Sequence, residues 1–409
     1  MNPLLSMAFR NVLRNRRRTL ITLAAVAIGV AAVGTIRGVL NGLQGNIIKG
    51  SIETTLGALQ IHRTGYLANV MSTPLSMDFV ADDGMLAKVR GVQGVSAVAP
   101  RIQFAGTMTL SVPEGQEEPE ALFFAAVAVD PTLELKVTPQ RPKLFTEGTV
   151  LDETHVVLGD ALAAAFGAKR ESEAVLLAPD RDGSLNGELA QVGGAMRAMM
   201  PGEMKIAVVP LALAQRLLRM EGRVTELAVA VDDVNRLPQI AADLRAALGP
   251  GFEVHAWNEL APERKTIMGI QDAISVIVSV VFVMLMLLGV ANTMLMSVLE
   301  RTREVGTMMA VGLTRGSVMT LFLLEALVLG LLGAAGGLGL MLLLTTALAR
   351  KGITFTPPSA TMSMEVYPFL TFGFTAGVLF TAVAGAVVFA LYPAFRASRL
   401  RPVQALAGR

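Results

Sequence analysis

Glu300-Arg-Thr-Arg-Glu-Val-Gly-Thr-Met-Met-Ala-Val-Gly-Leu-Thr-Arg315 is a short polar stretch caught between two long apolar runs, residues 273–298 and 316–349. A helix needs roughly 20 apolar residues to cross the hydrocarbon core of a bilayer. Both flanks therefore read as membrane spans, and 300–315 as the turnaround on one membrane face. At helical spacing Val305, Met308, Met309 and Gly312 share one side of it, with Arg301, Arg303 and Glu304 elsewhere. A short amphipathic helix at the membrane surface suits docking to something in the water beyond. The plainer reading is a solvated loop that only joins two spans.

Working outward, the rest of the 409 residues fits a membrane protein with a substantial water-soluble part. Hydrophobic residues make up 53% and charged residues 17%, against about 25% charged in soluble domains. With 35 basic and 33 acidic residues, no nucleic acid is expected as a partner. Cysteine is absent, which excludes disulfides, thiolate metal sites and cysteine nucleophiles. His62, His155 and His255 are far apart in sequence, and no metal site is expected from them. The run Asp180-Arg-Asp-Gly-Ser-Leu-Asn-Gly187 has the acidity of a calcium loop but lacks its closing Glu, so it reads as a turn. The sequence has no Gly-Lys dipeptide and hence no P-loop for ATP. No catalytic constellation is present, and a non-enzymatic role is expected.

Residues 1–18 are a basic lead-in, with Arg10, Arg14, Arg16, Arg17 and Arg18 and no acid. Residues 19–50 hold the first span and an amphipathic extension in which Leu40, Leu43 and Ile47 recur at helical spacing. This run is longer than the apolar core of a cleavable signal. Residues 51–263 hold no span and form an α+β extracytoplasmic domain, with 131–209 as an inserted subdomain. Residues 264–299 are a stalk and the second span, with Ile267, Ile270 and Ile274 on one helical face; ten extra residues would carry a helix about 15 Å beyond the bilayer. The coupling stretch is 300–315 and the third span 316–349. An outer loop follows over 350–367, then a fourth span over 368–391 and a tail over 392–409. The excess of arginine in the lead-in, in 300–315 and in the tail places both ends in the cytoplasm, with Arg350-Lys351 a mild violation. Glycines at 330, 333, 336, 337 and 339 give the third span small faces for close helix packing. Glu325 lies inside that span, where an acid needs a partner or the interface.

Within the outer domain, strands are expected at 56–62, 95–99, 101–110, 122–129, 224–231 and 252–256, with helices at 82–92 and 234–248. Residues 111–120 read as an acidic hairpin tip. Trp257, the only tryptophan, reads as a packed hinge residue. The loop 193–204 contains Met196, Met199 and Met200, whose flexible, polarizable side chains suit adaptable apolar binding or packing on their own domain.

Three stretches carry a family resemblance. They are Glu300-Arg-Thr-Arg-Glu-Val-Gly306 followed by Ala310-Val-Gly312, Ala8-Phe-Arg-Asn-Val-Leu-Arg-Asn-Arg-Arg-Arg-Thr19, and Tyr392-Pro-Ala-Phe-Arg-Ala-Ser-Arg-Leu-Arg-Pro-Val-Gln-Ala-Leu406. In this order they resemble the FtsX/MacB-type ABC transporter permeases. The resemblance implies four transmembrane helices and a porter-like α+β sandwich with an inserted subdomain between helices 1 and 2. It implies a bacterial inner-membrane location with that domain in the periplasm, a second permease chain of the same or a homologous kind, and a separate ABC ATPase subunit that holds ATP and Mg. No cofactor is expected in this chain. Glu300, Arg301, Thr302, Arg303, Glu304, Gly306, Ala310 and Gly312 then become the residues that couple to the ATPase. The layout is most like LolC/LolE, which implies release of lipoproteins to a periplasmic carrier. Leu40, Leu43, Ile47, Ile267, Ile270, Ile274, Met196, Met199 and Met200 would meet the cargo or membrane lipid. The alternatives are MacB-like export of a drug, peptide or siderophore through an adaptor and outer-membrane duct, and FtsX-like signalling to a cell-wall hydrolase.

Overall fold

The computed structural model describes residues 3–14, 16–72, 74–111, 120–197, 205–356 and 363–400. Helix α1 (Pro3–Arg14) precedes α2 (Arg16–Gly50), which runs on as a π-helical turn over Ser51–Leu56. The middle of the chain follows as β1 (Leu59–Arg63), β2 (Phe79–Val80), α3 (Asp83–Arg90), β3 (Val95–Leu110), β4 (Leu122–Val129) and α4 (Pro131–Val137). Next come β5 (His155–Gly159), α5 (Asp160–Phe166), β6 (Glu173–Pro179), β7 (Leu185–Met196), β8 (Ile206–Pro210) and α6 (Leu211–Leu218). This part ends with β9 (Arg223–Val224), β10 (Glu226–Val231), α7 (Leu237–Leu248), β11 (Phe252–Ala256) and α8 (Trp257–Leu260). The last quarter holds α9 (Pro262–Glu300), α10 (Thr302–Ala310), α11 (Arg315–Lys351), β12 (Ile353–Phe355), β13 (Met364–Val366) and α12 (Phe372–Ser398). The chain divides into a helical unit, 1–45 with 267–354 and 365–409, and a mixed unit, 46–266 with 355–364.

In the helical unit, α2, α9, α11 and α12 are long and apolar enough to cross a membrane. Helix is the form such runs must take, because lipid offers no partner to backbone N–H and C=O groups. The expected stalk and second span are one unbroken helix, α9, of 39 residues. Polar rungs tie α2 and α9 antiparallel: Thr22 Oγ1 to Thr293 Oγ1 at 2.8 Å, Arg37 to Asp272 at 2.6 Å, and Gln44 Nε2 to Asp272 Oδ1 at 3.0 Å. Helix α11 approaches α2 through its glycines, since a Cβ on Gly333 or Gly337 would lie 2.6 Å from Val26 or Val30. Helix α12 starts four residues later than the expected span and continues through Pro393. Burial of Ala390, Pro393, Ala394 and Ala397 along one face holds that last stretch in place.

In the mixed unit, nine of the described strands form one sheet in the order β11-β1-β10-β3-β4-β8-β5-β7-β6, and β2 pairs with β9 apart from it. The organising strand is β3, of 16 residues. The break expected near Pro100 is absent, because β10 pairs residues 95–101 while β4 pairs residues 101–108 on the other edge. Past its pairing with β10, β3 takes β6 as a neighbour over residues 107–110. Strands β3, β4, β8, β5, β7 and β6 thereby close on themselves. Gly106 permits that closure, since a Cβ there would stand 2.3 Å from the Leu177 carbonyl oxygen. The strands of 131–209 are thus joined to the first half of the domain through β4 and β3. Residues 193–196, expected as part of a methionine-rich loop, are the end of β7, and Met196 is buried with Val129, Leu144, Val157 and Val208. Met199, Met200 and the hairpin tip 112–119 lie outside the described residues. Trp257 is buried at the start of α8.

Candidate functional site

The stretch 300–315 becomes a nine-residue helix, a tight turn and a cap. Helix α10 ends at Ala310, Gly312 turns the chain at φ +108°, and Thr314 Oγ1 accepts from Ser317 N at 3.2 Å to start α11. A positive φ at Gly312 is the conformation that glycine adopts without strain.

One face of α10 is turned inward. Val305 and Gly306 are buried, and Met308 and Met309 pack on the helical core. Arg301 joins the same side, with its guanidinium 5.7 Å from the centre of the Phe322 ring. Its Nη1 donates to Glu325 Oε1 at 2.7 Å and its Nε to Glu304 Oε2 at 3.0 Å. From α1, Asn11 Nδ2 donates to the same Glu325 oxygen at 2.6 Å, and Arg14 pairs with Glu304. At the start of α2, Arg18 pairs with Glu300 at 2.7 Å and also donates to the Thr293 carbonyl. Asn11, Arg14, Arg18, Glu300, Arg301 and Glu325 line a polar cavity of about 130 Å³. Arg14, with Arg301 beside it, holds the Glu304 carboxyl below the usual range. Glu325 is therefore a strut: a carboxylate buried in α11 whose cost of burial is offset by an arginine and an amide.

The other face of the stretch is open. Arg303, Thr307, Ala310, Gly312, Thr314 and Arg315 are exposed, and Val311 is 84% exposed at the turn. Of the eight residues singled out from sequence, Arg303, Ala310 and Gly312 lie on this outer surface. Glu300, Arg301 and Glu304 make ion pairs with Arg18, Glu325 and Arg14, of which Arg301–Glu325 is the buried one. Gly306 is buried, and the Thr302 hydroxyl donates back to the Val298 and Leu299 carbonyls at 3.0 and 2.9 Å. Sequence reasoning missed Asn11 and Arg14 as members of the site. The available signal was Ala8 and Val12, one helical turn apart and both buried, with arginines around them.

Among the described residues, those expected to meet cargo line no common pocket. Leu40, Leu43 and Ile47 are half-buried on α2, and Met196 is in the core of the mixed unit. Ile267, Ile270 and Ile274 are exposed on α9. Among the described residues, no group of three or more His, Cys, Asp or Glu side chains is arranged to hold a metal ion.

The FtsX-like permease C-terminal family matches residues 276–402, and the MacB-like periplasmic core domain matches residues 19–247, more than half of the chain. This chain belongs to the FtsX/MacB-type ABC transporter permeases. The permease is 26% identical over 434 residues to the macrolide export ATP-binding/permease protein MacB of Hyphomonas neptunium, with 98% of this chain and 60% of that protein covered. It is 25% identical over 427 residues to the pyoverdine export ATP-binding/permease protein PvdT of Pseudomonas savastanoi, with 98% and 58% covered. An uncharacterized ABC transporter permease of Methanocaldococcus jannaschii is 23% identical over 419 residues, with 100% and 98% covered. The permease thus spans about 60% of the length of the MacB relative.

Proposed function

We propose that this permease exports a small amphiphilic molecule, driven by an ABC ATPase module that docks on the outer face of 300–315. The observation that carries the proposal is the two-sidedness of α10. The charges around it, Glu300, Arg301 and Glu304, are tied to α2, α11 and α1, while Arg303 and, in the turn that follows, Val311 and Arg315 are presented outward. A pad built this way passes a push to several helices at once. Glu300 is also the last residue of α9, so displacement of α10 acts directly on that helix. ATP and Mg belong to the ATPase, and contact that differs between its ATP-bound and empty states drives the change. The reading places this chain in an inner membrane as one of two permease copies, with both ends cytoplasmic and the large domain periplasmic, facing an adaptor protein.

Export is favoured over lipoprotein release because relatives aligned with 98% of the chain carry the names of macrolide and pyoverdine exporters. The experiment is purification of the tagged permease in mild detergent, with mass spectrometry of what is retained, beside a Val311→Glu variant. An ATPase retained with an adaptor, and lost in the variant, is the expected result. Lipoproteins with a soluble carrier would move the assignment to release, and a cell-wall hydrolase would move it to signalling. Failure to retain any ATPase would overturn the coupling role of 300–315.

A further inference from the structure

The mixed unit holds a partly open chamber of about 230 Å³. One end is apolar, built by Leu144, Met196, Ile206 and Val208. The other end is polar, with Arg101, Arg141, Gln60 and Gln103. Arg101, Arg141 and Gln60 are themselves no more than 3% exposed. An apolar chamber with a few convergent polar groups is the usual form of a small-molecule site.

The polar end is rich in hydrogen-bond donors. Arg101 gives Nε and Nη2 to Glu134 at 2.9 and 2.7 Å, and Nη1 to Glu226 at 3.1 Å and the Leu56 carbonyl at 3.2 Å. A guanidinium has five N–H groups, of which these contacts use four. Gln103 Nε2 donates to Glu226 at 2.6 Å. The two carboxylates that balance the two arginines are not among the chamber's lining residues, so the chamber meets the arginines and amides. The same end rests on the π-helical turn Ser51–Leu56, where Arg141 donates to the Thr54 and Thr55 carbonyls at 2.9 Å each. π-Helical turns are rare and concentrate at functional sites.

We propose that this chamber binds a small amphiphile whose apolar body sits among Leu144, Met196 and Val208 and whose hydrogen-bond-accepting head, a carboxylate or carbonyl, meets Arg101 and Gln103. At the ~30 Å³ that a water occupies in the liquid, the chamber has room for about eight non-hydrogen atoms, so the end of an eight-carbon acid would extend into its open mouth. A short acyl chain is of that size. An alkylammonium of the same length, which has donors only, is excluded by the arginines. The assignment stands apart from the docking of an ATPase on 300–315, since its test needs no nucleotide.

The test is photoaffinity labelling of the full-length permease in lipid nanodiscs with octanoic acid carrying a diazirine in its chain. Labelled peptides are mapped by mass spectrometry, with octanoate or octylammonium as competitor. Labelling is expected on β3, β4 or β8, with octanoate competing at least tenfold better than octylammonium. Ala125→Leu, which fills the chamber from β4, should lower labelling at least fivefold. Gln103→Leu should keep the labelled strands and lose the preference for octanoate; it decides the matter if the first variant does not fold. Labelling confined to the membrane helices, equal competition by octylammonium, or wild-type labelling of a folded Ala125→Leu protein would each overturn the proposal.

Discussion

Glu134 and Glu325 are both carboxylates enclosed by protein and held by arginine. For Glu134, burial opposes the charge, but Arg101 and Arg141 outweigh it and depress the pKa from its ordinary 4.5 to about 2. A carboxyl depressed in the folded state adds stability above its unfolded pKa and loses it as pH falls through the folded one. The stabilisation from Glu134 is therefore complete above about pH 4.5 and fades between there and about pH 2. At about 1.4 kcal/mol per unit it amounts to about 3 kcal/mol. Chemical denaturation of the full chain across that range should show this decline, and Glu134→Gln should flatten it while lowering stability at pH 7. At the coupling site, neighbouring residues separate in role. Arg303 is exposed, and Arg303→Glu should cut ATPase association more than tenfold in pull-down while leaving the melting temperature unchanged. An unaltered association would remove Arg303 from the docking surface.

At the scale of elements, the contact between α1 and α10 is a charged hinge pin. Glu304→Arg sets like charges against Arg14 and Arg301, and should lower both thermal stability and permease-dependent ATPase activity. Adding Arg14→Glu should recover a substantial part of both, because the pair is restored with its sign reversed. A double variant no better than the single one would show that Arg14 and Glu304 act independently. The packing of α11 on α2 is tighter still. A side chain at Gly337 meets Val30 and the Ala27 carbonyl, so Gly337→Leu should cost about 1–3 kcal/mol, read as a lowered melting temperature in detergent. Gly339, with nothing within 4 Å, is the control: Gly339→Leu should be tolerated.

For the whole molecule, the exposed isoleucines of α9 are the open question. Ile270 is 55% exposed and Ile274 53%, so the described residues do not cover them. Ile270→Gln should leave folding and ATPase association intact and reduce transport severalfold in a cell-based efflux assay. That result would mark the α9 face as a contact with cargo, lipid or a second copy, and full transport would remove it from all three. The two units also differ in how their stability is organised. The helical unit rests on short-range spacing of apolar and small residues, whereas the mixed unit depends on a ring of strands distant in sequence.

Much of this was legible in the chain alone. Helices α2, α9, α11 and α12 follow from runs of apolar residues, because a membrane-crossing segment satisfies its own backbone locally and its composition suffices to reveal it. The family was legible because its motifs are contiguous, around Ala8–Thr19, Glu300–Gly312 and Tyr392–Leu406. The periodicity of 300–315 showed that Val305, Met308 and Met309 share a side, but it set Arg301 and Glu304 apart from them. In three dimensions Arg301 turns to Glu325 in the interior and Glu304 to Arg14 at the surface, partners 24 and 290 residues away. The closure of β3 onto β6 and the chamber behind Arg101 are of the same kind. Each depends on partners far apart in the sequence, and only the folded chain decides which of the many possible partners come together.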